Sequence, residues 1–194
     1  AWLGAPLAGA AVVGMPVFSP DAALALIVTE KATVVCGTPA QLAILMARLD
    51  QADTSRVRIW YVSGSVLPTS LATDLEARTR GVTVSCYGGA DFGGWASPSP
   101  EDSAAVRWHT VGKPRAGTEL RIVDVTGAGV PPGSTGEVIG RGPCAVSGYI
   151  GDHGSEHWRD GWFHTGDLGR FDAAGNLVIV GRLKDVIIRG GDNI

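Results

Sequence analysis

A string of glycine and polar residues near the end of the chain carries the side chains best suited to chemistry. It runs from Gly161 to Gly169 and resumes at Gly181 as GRLKDVIIRGGDNI. Asp167 lies at a predicted turn, where its carboxylate can accept hydrogen bonds from the two hydroxyls of a ribose. Arg182 ends a predicted strand and is a fixed donor for the same sugar. A β-hairpin with a surface Asp and Arg explains each residue singly, but not the whole string.

The segment YGGAD, residues 87–91, is a second candidate because it follows a predicted strand directly. Its two glycines let a ligand approach the backbone, and the ring of Tyr87 can stack on a ligand. The carboxylate of Asp91 can hold a cation. Taken alone, the segment is more often a glycine-rich turn with a solvated aspartate.

Three further motifs are interpreted as structural. PGSTGE, residues 132–137, resembles a phosphate-binding loop, but a strand-like run follows it instead of a lysine, which favours a hairpin turn. HGSEH, residues 153–157, has HxxEH zinc spacing, yet its glycine and the turn residues around it oppose the helix that such a site needs. Residues 88–94 lack GxGxxG spacing, so a dinucleotide-binding fold is not predicted.

The first half of the chain predicts strands that alternate with helices. The predicted strands are residues 10–18, 32–36, 58–63 and 82–86, and the predicted helices are residues 22–30, 40–49 and 68–80. Such alternation is typical of an α/β fold with a parallel sheet covered by helices, in which ligands bind at the carboxyl ends of the strands. Loops 63–66 and 87–94 are therefore expected to border a site.

The second half predicts short strands with little helix. Residues 119–123, 137–141 and 177–180 are short strand-like segments separated by Gly, Pro and Asp turns. This pattern favours a small antiparallel sheet or a distorted, β-barrel-like subdomain.

Composition limits the class of protein. The 194 residues are 45% hydrophobic and 18% charged with a net charge of -3, which is typical of a soluble globular protein and gives no reason to expect nucleic acid binding. No apolar run approaches the roughly 18 residues of a membrane span, so a cytoplasmic protein is the default expectation. The three cysteines lack the spacing of a disulfide framework or a zinc site and are expected to be buried.

The late string resembles a motif of the adenylate-forming superfamily, which includes acyl-CoA synthetases, luciferases and the adenylation domains of peptide synthetases. That motif reads GWFHTGDLG and then GR.KD.I..GG.NI, and the chain matches it nearly throughout. Residues 33–39 resemble the family's strand-to-proline element, and residues 63–68 stand where its GGAPL loop belongs. The resemblance implies an α/β subdomain over 1–100, a β-barrel-like subdomain over 101–183, and a hinge over 184–194 that leads to a lid domain.

The resemblance also implies roles for individual residues. Asp167 and Arg182 would hold the ribose, Ile179 would pack near the nucleoside, and Asp185 would be the hinge. The substrate and thiol channel would include Gly89, Gly190 and Gly191. Adenine would lie between the residues Ser63, Gly64, Ser65, Val66, Tyr87 and Gly88. Asp91 stands where the family's glutamate helps to bind Mg²⁺, and Ala90 replaces a threonine that contacts phosphate. A shorter carboxylate reaches less far, and the missing hydroxyl removes a phosphate donor. Some relatives that activate aryl acids share this alanine.

The implied reaction joins a small carboxylic acid to ATP, releases pyrophosphate, and passes the acyl group from AMP to a thiol. Coenzyme A is the favoured acceptor and an aryl or alicyclic acid the favoured substrate, with a carrier-protein thiol as the alternative. A non-catalytic nucleotide-binding module is a further alternative, and self-association into a homodimer is left open. The family's phosphate loop and lid lysine are expected before residue 1 and after residue 194, so the 194-residue chain alone is expected to be inactive.

Overall fold

The computed structural model describes residues 4–151, 155–183, 188–189 and 192–193. The helices are α1 Gly4–Leu7, α2 Pro20–Thr29, α3 Pro39–Met46, α4 Thr69–Arg78 and α5 Ala104–His109. The strands are β1 Val34–Gly37, β2 Ile59–Val62, β3 Val82–Ser85, β4 Tyr87–Gly89, β5 Gly93–Ser97, β6 Lys113–Pro114, β7 Glu119–Val123, β8 Gly136–Arg141, β9 Trp158–Arg159, β10 Trp162–Phe171, β11 Leu177–Arg182, β12 Ile188–Arg189 and β13 Asp192–Asn193.

The first half contains the parallel sheet that the alternating pattern predicts. Strands β1, β2 and β3 lie side by side in that order and are all parallel. The indole of Trp60 is fully buried between the sheet and its helices, where it packs with Leu42 and Leu75. Its Nε1 donates to the hydroxyl of Thr79 at 2.9 Å, so the one polar atom of this side chain is satisfied.

Local sequence sets the start of α3 immediately after β1. The Thr38 hydroxyl accepts from the Gln41 N–H, the Gln41 side chain accepts from the Thr38 N–H, and Pro39 occupies the first turn. This reciprocal pair of hydrogen bonds satisfies two of the donors that a helix leaves free at its beginning. The chain therefore turns from strand to helix without a long loop.

The prediction of a strand over residues 10–18 is wrong. These residues form no helix or strand, and residues 10–14 are exposed. Small apolar residues suit a buried strand, but strand backbone also needs a neighbour for its hydrogen bonds. None of the described strands pairs with this segment.

The second half is antiparallel, as its short strands predict. Strands β11, β10, β8 and β7 pair in that order, and β9 adds to β10. The described strands form an open sheet and do not close into a barrel. A separate sheet of β4, β5 and β6 packs against it through an aromatic core that includes Tyr87, Phe92, Trp95 and Phe163.

Contacts made by helix α5 and by the segment after it link the two halves. The backbones of Val111 and Gly112, which follow α5, exchange hydrogen bonds of 2.8 Å with Leu177 on β11. Glu76 on α4 accepts hydrogen bonds from Arg107 and Trp108 on α5, at 2.8 and 2.9 Å. Helix α4, which belongs to the first half, is thereby linked through α5 to strand β11 of the antiparallel sheet.

The expectation of buried cysteines is wrong for two of the three. Cys36 and Cys144 are exposed, and Cys86 is half-buried. Cys36 lies on β1, an edge strand of the parallel sheet, and no described strand pairs with its outer side.

Among the described residues, no helix is long and apolar enough to cross a membrane.

Candidate functional site

The carboxyl ends of the three parallel strands meet at one edge of the sheet. Gly37, Val62 and Ser85 are level with one another, and the loop of residues 63–66 follows the middle strand. The Ser63 N–H donates to the Gly37 carbonyl at 3.2 Å, which holds the start of this loop against β1. All four loop residues, Ser63, Gly64, Ser65 and Val66, are exposed, so their backbone is open to a ligand.

Tyr87, Gly88 and Gly89 form β4, the first strand of a hairpin whose second strand is β5. A Cβ on Gly88 would lie 2.1 Å from the Gly93 carbonyl oxygen, and one on Gly89 would lie 2.8 Å from the Phe92 ring. No side chain fits at either position without movement of the backbone or of a core ring. The hairpin thus requires both glycines, in addition to any need for a ligand to approach them.

Asp91 lies in the turn between β4 and β5 and is half-buried. Its carbonyl accepts from the Val146 N–H at 2.8 Å, which ties the turn to the loop that follows β8. The described residues contain no group of three or more side chains that could hold a metal ion. One carboxylate nevertheless fits Mg²⁺, because this ion is often bound by one or two carboxylates with phosphate and water oxygens as its other ligands.

Asp167 is the centre of the site and brings together residues from both halves of the chain. Its carboxylate is buried and accepts from the Tyr87 hydroxyl at 2.8 Å and from Arg182 Nε at 3.0 Å. Tyr87 and Asp167 are 80 positions apart in the chain. The structure therefore joins Tyr87, Asp167 and Arg182, three residues that the sequence analysis selected from two separate motifs.

The hydrogen bonds at Asp167 leave room for a ligand. Burial, together with the Asp167 carboxylate, raises the pKa of the Tyr87 phenol well above its usual range. The phenol therefore stays protonated and donates. A carboxylate has about four acceptor positions, so Asp167 can accept further donors beside these two. The Arg182 side chain is 69% exposed and can reach a ligand from the solvent side.

Asp167 lies within β10, at a bulge, and not at the turn that the sequence analysis predicts. The pairing of β10 with β8 shifts between His164 and Leu168, and Gly166 adopts a φ of +71°. The Thr165 hydroxyl donates to the Val138 carbonyl at 2.7 Å and accepts from the Asp167 N–H at 3.0 Å. The bulge directs the Asp167 carboxylate towards Tyr87.

Sequence reasoning missed three residues that surround this bulge: Glu137, His164 and Thr165. Glu137 belongs to the PGSTGE segment, which was interpreted only as a hairpin turn, and β8 does begin there. His164 Nδ1 lies 2.8 Å from Glu137 Oε2. An acidic residue in one predicted strand and the histidine of the GWFHTGDLG string could have indicated this contact. The two residues meet only in the correct register of β10 against β8, which the sequence does not show.

Ile179 and the residues assigned to the hinge and the thiol channel make none of the hydrogen bonds described at Asp167. Ile179 pairs with Gly169 and packs, half-buried, against the aromatic core that contains Tyr87. Asp185, Gly190 and Gly191 lie outside the described residues. The zinc pattern also falls partly outside them, and the described His157 directs Nδ1 to the His164 carbonyl at 3.1 Å.

Known proteins resemble this chain in both sequence and fold. Residues 1–150 match the family model of the AMP-binding enzyme. The medium-chain fatty-acid–CoA ligase of Escherichia coli K12 is 35% identical over 97% of this chain and 34% of its own length. The indoleacetate–CoA ligase of Aromatoleum aromaticum is 36% identical over 96% of this chain and 37% of its own. The chain thus spans a little over a third of the length of these curated relatives.

Solved structures agree with the sequence relatives. The anthranilate CoA ligase AuaEII in complex with anthranoyl-AMP has a TM-score of 0.87 and 28% identity, covering 96% of this chain and 37% of that one. ATP-bound MatB from Rhodopseudomonas palustris has a TM-score of 0.85 and 28% identity, covering 95% of this chain and 37% of that one. Together with the match over residues 1–150, these likenesses show that the chain belongs to the AMP-binding enzyme family.

Proposed function

We propose that this chain supplies the nucleotide-binding core of an ATP-dependent acid–thiol ligase. The observation that carries the proposal is the hydrogen-bonded set of Tyr87, Asp167 and Arg182 beside the open carboxyl edge of the parallel sheet. It offers a buried anionic acceptor, a partly exposed cationic donor and an exposed glycine-rich backbone within one region. That combination suits a nucleotide, which has a ribose diol, a flat base and an attached phosphate.

Each group then has a defined part in binding ATP. The ribose hydroxyls donate to the Asp167 carboxylate, and Arg182 donates to the sugar from the solvent side. The base lies between the exposed loop of residues 63–66 and the Tyr87–Gly88 backbone. Asp91 would hold Mg²⁺ with its carboxylate, and the ion would neutralise charge on the phosphates.

The chemistry proceeds by two displacements. A carboxylate oxygen of the acid attacks the α-phosphorus of ATP, the bond to the β-phosphate oxygen breaks, and pyrophosphate leaves with its electron pair. A thiol then attacks the acyl carbon, loses its proton, and displaces AMP. The protein contributes position and charge complementarity to both steps.

The names of the relatives support a proposal for the acceptor and for the acid. Several are CoA ligases or CoA synthases, so we propose coenzyme A as the acceptor. Indoleacetate–CoA ligase, feruloyl-CoA synthase and a ligase for an octahydroindenyl propanoyl group support an aryl or alicyclic acid, whereas the Escherichia coli relative is named for medium-chain fatty acids. A carrier-protein thiol is the alternative acceptor. The solved amide bond synthetase McbA, with 33% identity and a TM-score of 0.83, adds an amine to the acceptors worth testing.

We propose a separate role in binding and catalysis for each of the three segments that the sequence predicts. Residues 1–100 present the adenine-side loops, residues 101–183 present Asp167 and Arg182, and residues 184–194 act as a hinge at Asp185. Gly89 would join Gly190 and Gly191 in the channel for the thiol. The hydrogen bonds of Tyr87 with Asp167 and of Glu76 with Arg107 support a fixed relation between the first two segments.

The test is acid-dependent exchange of pyrophosphate into ATP, measured on the full-length protein with a panel of aryl, alicyclic and fatty acids. Asp167→Ala should raise the KM for ATP at least tenfold, because it removes charge-assisted hydrogen bonds worth about 1.5 to 3 kcal/mol each. Asp74→Ala is the control, since Asp74 is exposed on α4. Absence of exchange with every acid would reject the proposed function, and an unchanged KM in Asp167→Ala would remove Asp167 from the site.

A further inference from the structure

We infer that Glu137 is a positioning residue for ATP binding, because its carboxylate holds the backbone bulge that presents Asp167. The inference rests on the proposed function, in which Asp167 accepts the ribose hydroxyls. Glu137 itself lies on β8, one strand away from Asp167. Its hydrogen bonds go to the bulge and not to the Asp167 carboxylate, Tyr87 or Arg182.

The bulge is wide and leaves backbone groups without ladder partners. His164 pairs with Ile139 and Leu168 pairs with Glu137, so residues 165–167 of β10 stand opposite the single residue Val138 of β8. A regular antiparallel ladder would match one residue with one. The additional N–H groups in this part-buried region must therefore find other hydrogen-bond partners, or the fold is less stable.

Glu137 provides partners on both sides of the bulge. Its Oε1 accepts from the Gly166 N–H at 3.1 Å, at the tip of the bulge. Its Oε2 lies 2.8 Å from His164 Nδ1, at the point where the regular pairing stops. A carboxylate can only accept, so Nδ1 of His164 carries the proton in this contact. The Glu137 and His164 side chains are only 16% and 11% exposed, so water competes weakly for these bonds.

The geometry explains why a substitution at Glu137 should change the position of Asp167. Gly166, whose N–H Glu137 accepts, immediately precedes Asp167 and has a φ of +71°. Glycine can adopt many other backbone conformations, so it does not fix this φ by itself. The Thr165 hydroxyl holds the Asp167 N–H, so the backbone of the bulge is anchored at two successive amides. Without Glu137 the anchor at Gly166 is lost, while the contacts of the Asp167 side chain itself remain.

Three substitutions separate this role from general stability. Glu137→Ala removes both hydrogen bonds. Glu137→Gln keeps an oxygen that can accept from the Gly166 N–H, and an imidazole that carries its proton on Nε2 can accept from the new amide at Nδ1. Glu119→Ala is the matched control, because Glu119 is an exposed glutamate on the neighbouring strand β7 of the same sheet and pairs with Arg141.

The experiment measures the Kd of AMP by calorimetry and the KM and kcat of pyrophosphate exchange on the full-length protein. We expect Glu137→Ala to weaken AMP binding and raise the KM for ATP by about tenfold, with kcat at saturating ATP within about twofold of wild type. Glu137→Gln should restore both constants to within about threefold, and Glu119→Ala should leave them unchanged. If Glu137→Ala does not fold, Glu137→Asp replaces it, since a side chain one methylene shorter cannot reach both partners.

The outcomes distinguish this inference from the proposed function. Normal AMP binding in Glu137→Ala or Glu137→Asp, beside weakened binding in Asp167→Ala, overturns the positioning role and leaves the proposed function intact. A fall in kcat with unchanged AMP affinity also overturns it, because that result means a smaller folded fraction or a general structural role. A wild-type protein that neither binds AMP nor exchanges pyrophosphate rejects the proposed function, and the inference falls with it.

Discussion

Tyr87→Phe isolates the hydrogen bond that joins the two halves of the site. The substitution removes one hydroxyl and keeps the ring that packs against Phe92, with ring centroids 5.7 Å apart. The lost bond is 2.8 Å long, buried, and made to the Asp167 carboxylate. Hydrogen bonds to charged groups contribute about 1.5 to 3 kcal/mol to the free energy of unfolding. Arg182 should not compensate, because it already bonds to the other carboxylate oxygen and most of its side chain is in solvent, which screens its charge.

The assay is urea unfolding followed by circular dichroism, with thermal unfolding as a second measure. A loss of about 1.5 to 3 kcal/mol corresponds to a fall in Tm of roughly 3 to 12 °C for a domain of this size. The slope of the free energy against urea concentration should not change, because the surface exposed on unfolding is the same. Tyr149→Phe is the matched control, since Tyr149 is 38% exposed and should change stability by less than about 0.5 kcal/mol.

A double-mutant cycle identifies the partner of the Tyr87 hydroxyl. Tyr87→Phe and Asp167→Ala should together cost less than the sum of their separate effects, with a coupling of about 1 kcal/mol or more. If the two effects simply add, the hydroxyl does not bond to Asp167 in solution. If Tyr87→Phe is as stable as Tyr149→Phe, the buried hydrogen bond does not contribute as reasoned.

Three further predictions test the glycine hairpin, the interior network and the hinge. Gly88→Ala should unfold the hairpin or lower the free energy of unfolding by more than 2 kcal/mol, roughly the cost of overpacking, because its Cβ would lie 2.1 Å from the Gly93 oxygen; Gly129→Ala, with no atom within 4 Å of its Cβ, is the control in the same urea titration. Burial alone would raise the pKa of Glu76, but hydrogen bonds from neighbouring residues lower it overall. The stability that this carboxylate contributes is therefore present above its unfolded pKa of about 4.3 and is lost as the pH falls further. The difference in unfolding free energy between wild type and Glu76→Gln should shrink below about pH 4, and a constant difference would contradict this. Asp185→Pro should leave pyrophosphate exchange largely intact and depress thioester formation, because proline fixes φ and removes a donor, and an equal loss of both activities in folded protein would mean that Asp185 is not a pivot.

Local signals in the sequence predict the parallel half of the fold well. Strand β3 and helix α4 lie within two residues of their predicted bounds, because turn residues and apolar runs mark their ends. The start of α3 is encoded by Thr38, Pro39 and Gln41, whose hydrogen bonds are local and need no distant partner. The same reasoning failed for residues 10–18, where small apolar side chains alone do not supply a neighbouring strand.

Strand β10 shows what local signals cannot reach. Its ten residues include Gly166 and Gly169, which indicate a turn when the sequence is considered alone. Pairing with β8 on one side and β11 on the other keeps this segment extended, and the glycines become the bulge and the close approach to β11. A Cβ on Gly169 would lie 2.9 Å from the Val178 carbonyl oxygen, so the need for glycine is itself tertiary.

The sequence by itself determined which residue types are available for chemistry: the GWFHTGDLG and GRLKD strings, the YGGAD segment, and the family to which they point. Tertiary structure alone decided that the Tyr87 hydroxyl meets the Asp167 carboxylate, and that Glu137 holds the backbone beside it. These contacts depend on the register of β10 against β8 and on the packing of one sheet against another. Register and packing are set by many weak interactions between distant segments, so no short motif can encode them.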